Sequence, residues 1–443
     1  MRVVHVSYGL DRGGASRSMV EMCRASGEVG PVRHRILTLS RPRADVLAET
    51  RRAGIEVLPQ PDDLAAELAA ADVVQVEYFN HPLISEFLAS FRVPARLLVW
   101  CHVAGDAPPN IITRGLAEFA DLLVTTSEYS RRLPALASLP NVRYVHAPTS
   151  RARAESLSAL PAGRGAGDTI GYVGTVDFAK MHRHFVRMHC AIDLPSARVV
   201  VCGGEAYRDS ETIATLKAEA AALGRSELFE FRGYLERITE AFGEFDVYGY
   251  PLCPGNYASA ELNLQEAMFA AVPPVVFGDG AVGKMVADGR TGYVVGTERE
   301  YAAAVTRLLS NPPERRRLGL AARAHALATF GALDAGRRMN ALYDELLPTP
   351  KRSRRWSFGH FGEQVKHTGA ATFLAALGEF AQPYAQALSA DPEVRREGER
   401  AVRSMSAHPT MASSGFGSVW HYCKYFSGDP TLRHWAALSG APA

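Results

Sequence analysis

"RVVHVSYGLDRGGASRSMVEMCRAS", residues 2–26, passes from a β-branched apolar run through a glycine-rich turn into a stretch with helical spacing. That order predicts a strand, a tight turn and a helix. Gly9, Gly13 and Gly14 let the backbone turn sharply and let a ligand approach the amides that open the helix. A turn that merely packs a helix against its strand accounts for the same glycines equally well. The spacing is not G-x-G-x-x-G, and no acidic residue closes the second strand, "HRILTL" (34–39), so a dinucleotide site lacks its fingerprint.

Outward from this stretch the pattern repeats. A helical pattern over 43–54 is followed by "IEVLPQ" (55–60), another helix, "ADVVQVEY" (71–78), "ARLLVWCHV" (95–103) and "ADLLVTTS" (120–127). Nearly continuous apolar strands separated by helices predict a parallel sheet covered on both faces. Residues 148–168, "PTSRARAESLSALPAGRGAGD", have few large apolar side chains and read as a linker. The alternation then restarts with "TIGYVGT" (169–175), "ARVVVCGG" (197–204), "LFEFRGY" (228–234), "FDVYGYP" (245–251), "PPVVFGD" (273–279) and "GYVVG" (292–296).

The expected fold is therefore α/β, with two Rossmann-like doubly wound domains facing each other across a cleft. The expected organisation is a first domain over 1–155, a linker over 156–168, a second domain over 169–333 and a crossover helix over 334–350. Residues 351–443 complete it as a helical C-terminal extension. That tail ends the strand–helix alternation but holds three of the four tryptophans, Trp356, Trp420 and Trp435, so it is too aromatic to be disordered. Its basic start, "KRSRR" (351–355), reads as a solvated linker. The tail either walls the acceptor side or makes a homodimer contact.

At 443 residues the chain exceeds one comfortable core, and 49 basic against 47 acidic residues leave no field to attract nucleic acid or an anionic membrane. No apolar stretch approaches the length of a membrane span. The six cysteines form no C-x-x-C pair, and several sit inside apolar runs, which fits reduced thiols in the cytoplasm. No His, Cys, Asp and Glu cluster shows metal-ligand spacing, so no metal and no cofactor are expected.

Four places carry candidate chemistry. His102 ends an apolar run, at the carboxyl end of a strand, where sites form in such sheets. A lone histidine there is as often a satisfied hydrogen-bonding residue as a catalyst. In "TIGYVGTVDFAK", Gly174 ends a strand and Lys180 follows six residues on, where it would neutralise a phosphate. In "YASAELNLQEAMFAAVPPVV" (257–276), Ser259 is a plausible N-cap and Glu261 falls in the first helical turn, where a carboxylate favours the helix dipole. Glu266 lies further into an apolar helix and diverges from Glu261, so burial demands a polar partner; the vicinal hydroxyls of a ribose would serve. Pro273 and Pro274 fix the following turn.

In series, "GLDRGGASRS", "WCHV", "TTSEYSRR", "IGYVGTVDFAK", "VVVCGGE", "QEAMFAAVPPVV" and "ADGRTGYVV" resemble the retaining glycosyltransferases of family 4, which have the GT-B fold. The likeness covers about residues 1–347. It implies that Gly13 and Gly14 face the donor diphosphate and acceptor, and that His102 contacts the donor sugar. It further implies that Gly174, Thr175 and Lys180 lie at the diphosphate, that amides around Leu262 and Asn263 face the phosphates, and that Glu266 binds the nucleotide ribose. Tyr234 and Leu235, in "RGYL", would border the base. Two departures stand out. The family's Gly-Arg is Gly174–Thr175 here, so one diphosphate cation is missing, with Arg183, Lys284 or Arg12 as candidate replacements. The family's paired glutamates are eight apart, but the position eight before Glu266 is Ala258, leaving Glu261 as the nearest acid.

The implied reaction moves a glycosyl group from a UDP-, GDP- or ADP-sugar to an acceptor with retention and without a metal. His102, Lys180 and Glu261 are the catalytic candidates. The acceptor is a glycan or a small natural-product intermediate with an oxygen, nitrogen or sulfur nucleophile. A nucleotide-sugar 2-epimerase on the same frame and a non-catalytic nucleotide-binding relative are the alternatives.

Overall fold

The β-branched runs become strands, the central ones buried on both faces and the edge ones partly exposed, and the glycines and prolines between them become turns. The computed structural model describes residues 1–163, 168–205, 211–363, 365–366, 368–412 and 415–440. The chain forms two compact units, Met1–Ala147 with Leu333–Ala443, and Pro148–Ala332.

The first unit holds β1 (Arg2–Ser7), β2 (Arg33–Thr38), β3 (Glu56–Pro59), β4 (Val73–Tyr78), β5 (Leu97–Cys101), β6 (Leu122–Thr125) and β7 (Val142–Tyr144). They pair in the order β3-β2-β1-β4-β5-β6-β7, all parallel. The second unit holds β8 (Thr169–Val173), β9 (Arg198–Cys202), β10 (Phe229–Gly233), β11 (Val247–Tyr250), β12 (Pro274–Phe277) and β13 (Tyr293–Val295). Their order is β10-β9-β8-β11-β12-β13, again all parallel. Both sheets are doubly wound, as read from the alternation. The winding reverses between β1 and β4 and between β8 and β11, and such reversals open a crevice at the carboxyl ends of the two strands.

The linker assignment needs correcting. Residues 151–158 are a helix capped by Ser150, whose side chain accepts from the Arg153 amide, and they belong to the second unit. The helix escaped notice because only Leu157 is buried; its inner side makes an ion pair in place of an apolar stripe.

The basic run after residue 350 is not a solvated linker either. Arg352 and Arg354 pair with Asp121 at 2.9 and 2.6 Å, and Lys351 donates to the Ala69 carbonyl at 2.8 Å. Asp121 immediately precedes β6, so the run is pinned along the amino edge of the first sheet. Beyond it, helices including Thr368–Leu377, Pro392–Ser406, Val419–Tyr425 and Pro430–Leu438 close over a core of Phe373, Tyr384, Tyr422 and Trp435. The tail belongs to the first unit. Tyr422 donates to Asn80 at 2.7 Å and meets Ser85 at 2.7 Å, while Asn110 donates to the Phe416 carbonyl at 3.1 Å. All six cysteines are free thiols. Among the described residues no helix is long and apolar enough to cross a membrane.

Candidate active site

β8 ends at Val173, and the chain must turn at once beside the end of β9. Gly174 has φ +156° and Gly203 has φ +144°. A Cβ on Gly203 would lie 1.8 Å from the Gly174 carbonyl oxygen, so only glycine permits this approach. The two turns are also bonded together: the Gly174 amide donates to Cys202 and the Val176 amide to Gly204, each at 3.0 Å. Tyr172 fixes the far side, donating from its hydroxyl to the Thr175 carbonyl at 2.9 Å.

The open side of Gly174 faces polar groups. A Cβ there would come within 3.4–3.5 Å of the Tyr172 hydroxyl, the Tyr250 hydroxyl and Asn263 Nδ2. Tyr172, next to last in β8, and Tyr250, last in the neighbouring β11, have ring centroids 5.4 Å apart. Tyr250 donates to Glu261 Oε2 at 2.6 Å, and Lys180 Nζ lies 2.9 Å from the same oxygen. Burial, followed by the charge of Glu261, drives the Tyr250 hydroxyl well above its ordinary pKa and keeps it a donor. Backbone bonds hold the lysine stem, since the Lys180 amide donates to Asp177 at 2.9 Å and its carbonyl accepts from Cys253 at 2.8 Å. Gly174, Thr175, Lys180, Glu261 and Asn263 thus meet at the switch point of the second sheet. Tyr250 joins them; it was legible only as the last aromatic of "FDVYGYP".

The helix Leu262–Phe269 starts later than expected. Glu261 itself occupies the N-cap, and Ser259 lies outside the helix, buried. The amides of Leu262 and Asn263 fall in the first turn, and the Asn263 side chain reaches Gly174. Glu266 is 1% exposed, as its apolar neighbours demand, but the chain provides its cation: Arg153 Nη1 lies 3.1 Å from Oε1. The need of that oxygen for a polar partner is therefore met within the protein. The missed signal was the arginine inside the supposed linker. Tyr234 stands 54% exposed and Leu235 half-buried after the edge strand β10. Of the replacement cations, Arg183 and Lys284 are exposed, and Arg12 is engaged with Asp45 at 2.7 Å.

In the first unit, Gly13 caps the helix Gly14–Val29 after β1, but its amide is taken by Asp11 Oδ1 at 2.7 Å. His102 follows β5 with its side chain almost wholly buried, and its Nε2 lies 2.7 Å from Glu77 Oε2. Glu77 was not singled out from the sequence. The available signal was the alternation in "VVQVEY", where Gln75 and Glu77 interrupt a strand that should be apolar throughout. Burial opposes ionisation of Glu77, but hydrogen bonds from His102 and His5 outweigh it and hold the carboxyl at about 2.

Two doubly wound parallel sheets, each with polar groups gathered where its winding reverses, define the GT-B class of protein. Residues 164–325, within the second unit, match the family described as Glycosyl transferases group 1. No curated protein matches the sequence. Among solved structures, HepE of Anabaena in complex with UDP-glucose is similar over 78% of this chain and 100% of its own, with TM-score 0.63 and 15% identity. Sucrose-phosphate synthase of Thermosynechococcus elongatus is similar over 78% of this chain and 99% of its own, with TM-score 0.60 and 18% identity. A glycosyltransferase of Rickettsia africae gives TM-score 0.62 at 13% identity, over 79% and 99%.

Proposed function

We propose that this protein transfers a sugar from a nucleoside diphosphate donor to an acceptor with retention at the anomeric carbon. The observation that carries the reading is the gathering of Lys180, Tyr250, Glu261 and Asn263 around the glycine turn at the switch point of the group 1 domain. A diphosphate over Gly174 would meet the Lys180 ammonium and the first amides of the helix Leu262–Phe269, with no side chain at 174 to block its approach.

No side chain in the cluster is placed as a covalent nucleophile, which favours a same-face displacement. The bond from the anomeric carbon to the leaving diphosphate breaks as the acceptor atom bonds to that carbon. The acceptor proton passes to the departing phosphate oxygen. Lys180 then acts by stabilising charge on the leaving group, and the rest is positioning. Because HepE is described in complex with UDP and with UDP-glucose, UDP-sugars are the first donors to try. The acceptor is proposed to be a glycan or a small natural-product intermediate; the near-neutral balance of charge speaks against nucleic acid, and the free cysteines favour a reaction in the cytoplasm.

The test is calorimetric titration with UDP, GDP and ADP, followed by nucleoside diphosphate release from the matching glucose donors. Binding of one nucleotide and slow release from its sugar donor support the reading. If none of the three nucleotides binds, the reading is wrong.

A further inference from the structure

Glu77 is a fully buried acid that the proposed chemistry does not use. It lies in β4, every residue of which is buried. Oε2 faces His102 Nε2 at 2.7 Å, while Oε1 accepts from His5 Nδ1 at 2.8 Å and from Gln75 Nε2 at 2.8 Å. An ionised carboxylate only accepts, so the nitrogen of His102 that faces it carries the hydrogen.

The groups behind Glu77 show why it stays ionised. His5 Nε2 meets His34 Nδ1 at 2.9 Å, with Cys23 Sγ 3.4 Å away, and His34 Nε2 meets Ser26 Oγ at 2.7 Å. Asn340 sets the direction of this chain. Its Nδ2 donates to the Ser26 carbonyl at 3.0 Å, so its Oδ1 receives the Ser26 hydroxyl proton. Ser26 Oγ therefore accepts from His34 Nε2, which leaves His34 Nδ1 a bare lone pair toward His5. With Glu77 ionised, only a His5 protonated on both nitrogens satisfies His34 and Glu77 together. A buried imidazolium beside Glu77 balances its charge and keeps it a carboxylate.

We propose that Glu77 is a positioning residue for His102, fixing the tautomer with hydrogen on Nε2 so that Nδ1 is left as the acceptor for a hydroxyl of a bound sugar. The second half of this inference rests on the glycosyltransferase reading; the first half does not. Glu77 acts only through His102, and the His5–His34–Ser26–Asn340 chain anchors it from behind.

Two measurements on the full chain decide it. The first is the long-range proton–nitrogen NMR spectrum of the wild type, with His102 assigned by its loss in His102→Asn. Hydrogen on Nε2 is expected; hydrogen on Nδ1 overturns the inference, and this holds even if no Glu77 variant folds. The second is nucleoside diphosphate release from UDP-glucose. Glu77→Gln is expected to lower kcat by about tenfold to a hundredfold, while Glu77→Gln with His102→Ala is no slower than His102→Ala alone. Multiplying losses in the double variant overturn it. Gln75→Leu, which loosens the same buried cluster without touching His102, separates positioning from stability. If it slows turnover as much as Glu77→Gln, Glu77 is only structural. Absence of turnover in the wild type would count against the glycosyltransferase reading and leave the tautomer result standing.

Discussion

Lys180 Nζ and Glu261 Oε2 stand 2.9 Å apart, with both side chains about nine-tenths buried. The Tyr250 hydroxyl donates to the same oxygen at 2.6 Å. One carboxylate thus holds the only cation of the cluster among the described residues, at the place where an arginine expected after Gly174 is replaced by Thr175. An incoming diphosphate must share Lys180 with Glu261. The two variants of this pair should therefore act in opposite directions.

Lys180→Ala leaves Glu261 uncompensated next to the proposed diphosphate position. Nucleoside diphosphate affinity should fall by about 2–3 kcal/mol, roughly a 30-fold to 150-fold weaker Kd by titration calorimetry. Glu261→Gln keeps a partner for Tyr250 and releases the ammonium, so nucleoside diphosphate should bind at least as tightly as to the wild type. Equal affinity of Lys180→Ala and wild type would remove Lys180 from the donor site.

Arg153 and Glu266 give a second pair, with one member wholly buried and the other partly exposed. Arg153→Met strands a buried carboxylate. After discounting for the exposed arginine, the second unit should lose about 2–3 kcal/mol, roughly 5–10 °C in its melting transition. Glu266→Gln retains the shape and a hydrogen bond to Arg153, so it should fold with a smaller loss. If the carboxylate also holds the donor ribose, Glu266→Gln raises the donor KM severalfold. An unchanged KM would make Glu266 a purely internal partner of Arg153.

These pairs mark the boundary of what the residues reveal in one dimension. The alternation of apolar runs and helices was enough for two parallel sheets, because burial on both faces leaves no other pattern. Gly174, Lys180 and Glu261 were visible because strand ends and helix starts carry recognisable punctuation. Arg153 was hidden by a helix with one buried apolar residue, and the basic run at 351–355 by an ordinary solvated composition. Glu77 was hidden inside a strand, where its partners come from β1 and the end of β5. Each lost feature is a charge paired across a long sequence separation. Hydrophobic periodicity carries no information about such pairs.

Gly203 tests the geometry of the turn directly. A methyl group there would overlap the Gly174 carbonyl, and the φ of +144° is itself strained for any other residue. Gly203→Ala should displace the Gly174 turn, lower the melting point of the second unit and abolish nucleotide binding. Gly204, with no described residue within 4 Å of its Cβ position, is the matched control, and Gly204→Ala should melt and bind like the wild type. Equal behaviour of the two variants would refute this account of the turn.

The first unit should lose stability on mild acidification. Burial, with the charge of His421 second, holds His81 down at about 2; burial, with Lys424 second, holds His421 at about 3. Both are neutral in the folded unit and titrate near 6.5 when unfolded, so the unfolded state binds more protons as pH falls below 6.5. Their contribution is complete above 6.5 and declines steadily toward 3. Each histidine costs about 1.4 kcal/mol per pH unit in that window, so the pair costs about 2.5–3 kcal/mol per pH unit. His5 has the opposite sign: burial would lower it, but Cys23 and Glu77 raise it to about 10, so its stabilisation is complete below 6.5 and is lost toward 10. Stability should therefore peak near neutrality. All four tryptophans lie in the first unit, which lets their fluorescence report its melting apart from the second. His81 also caps the helix Pro82–Ser90 through a bond from the Leu83 amide at 3.1 Å, a task that asparagine performs well. His81→Asn should keep the cap and cut the acid slope of the fluorescence-detected stability by about 1.4 kcal/mol per pH unit. An unchanged slope would mean that His81 is protonated in the folded protein.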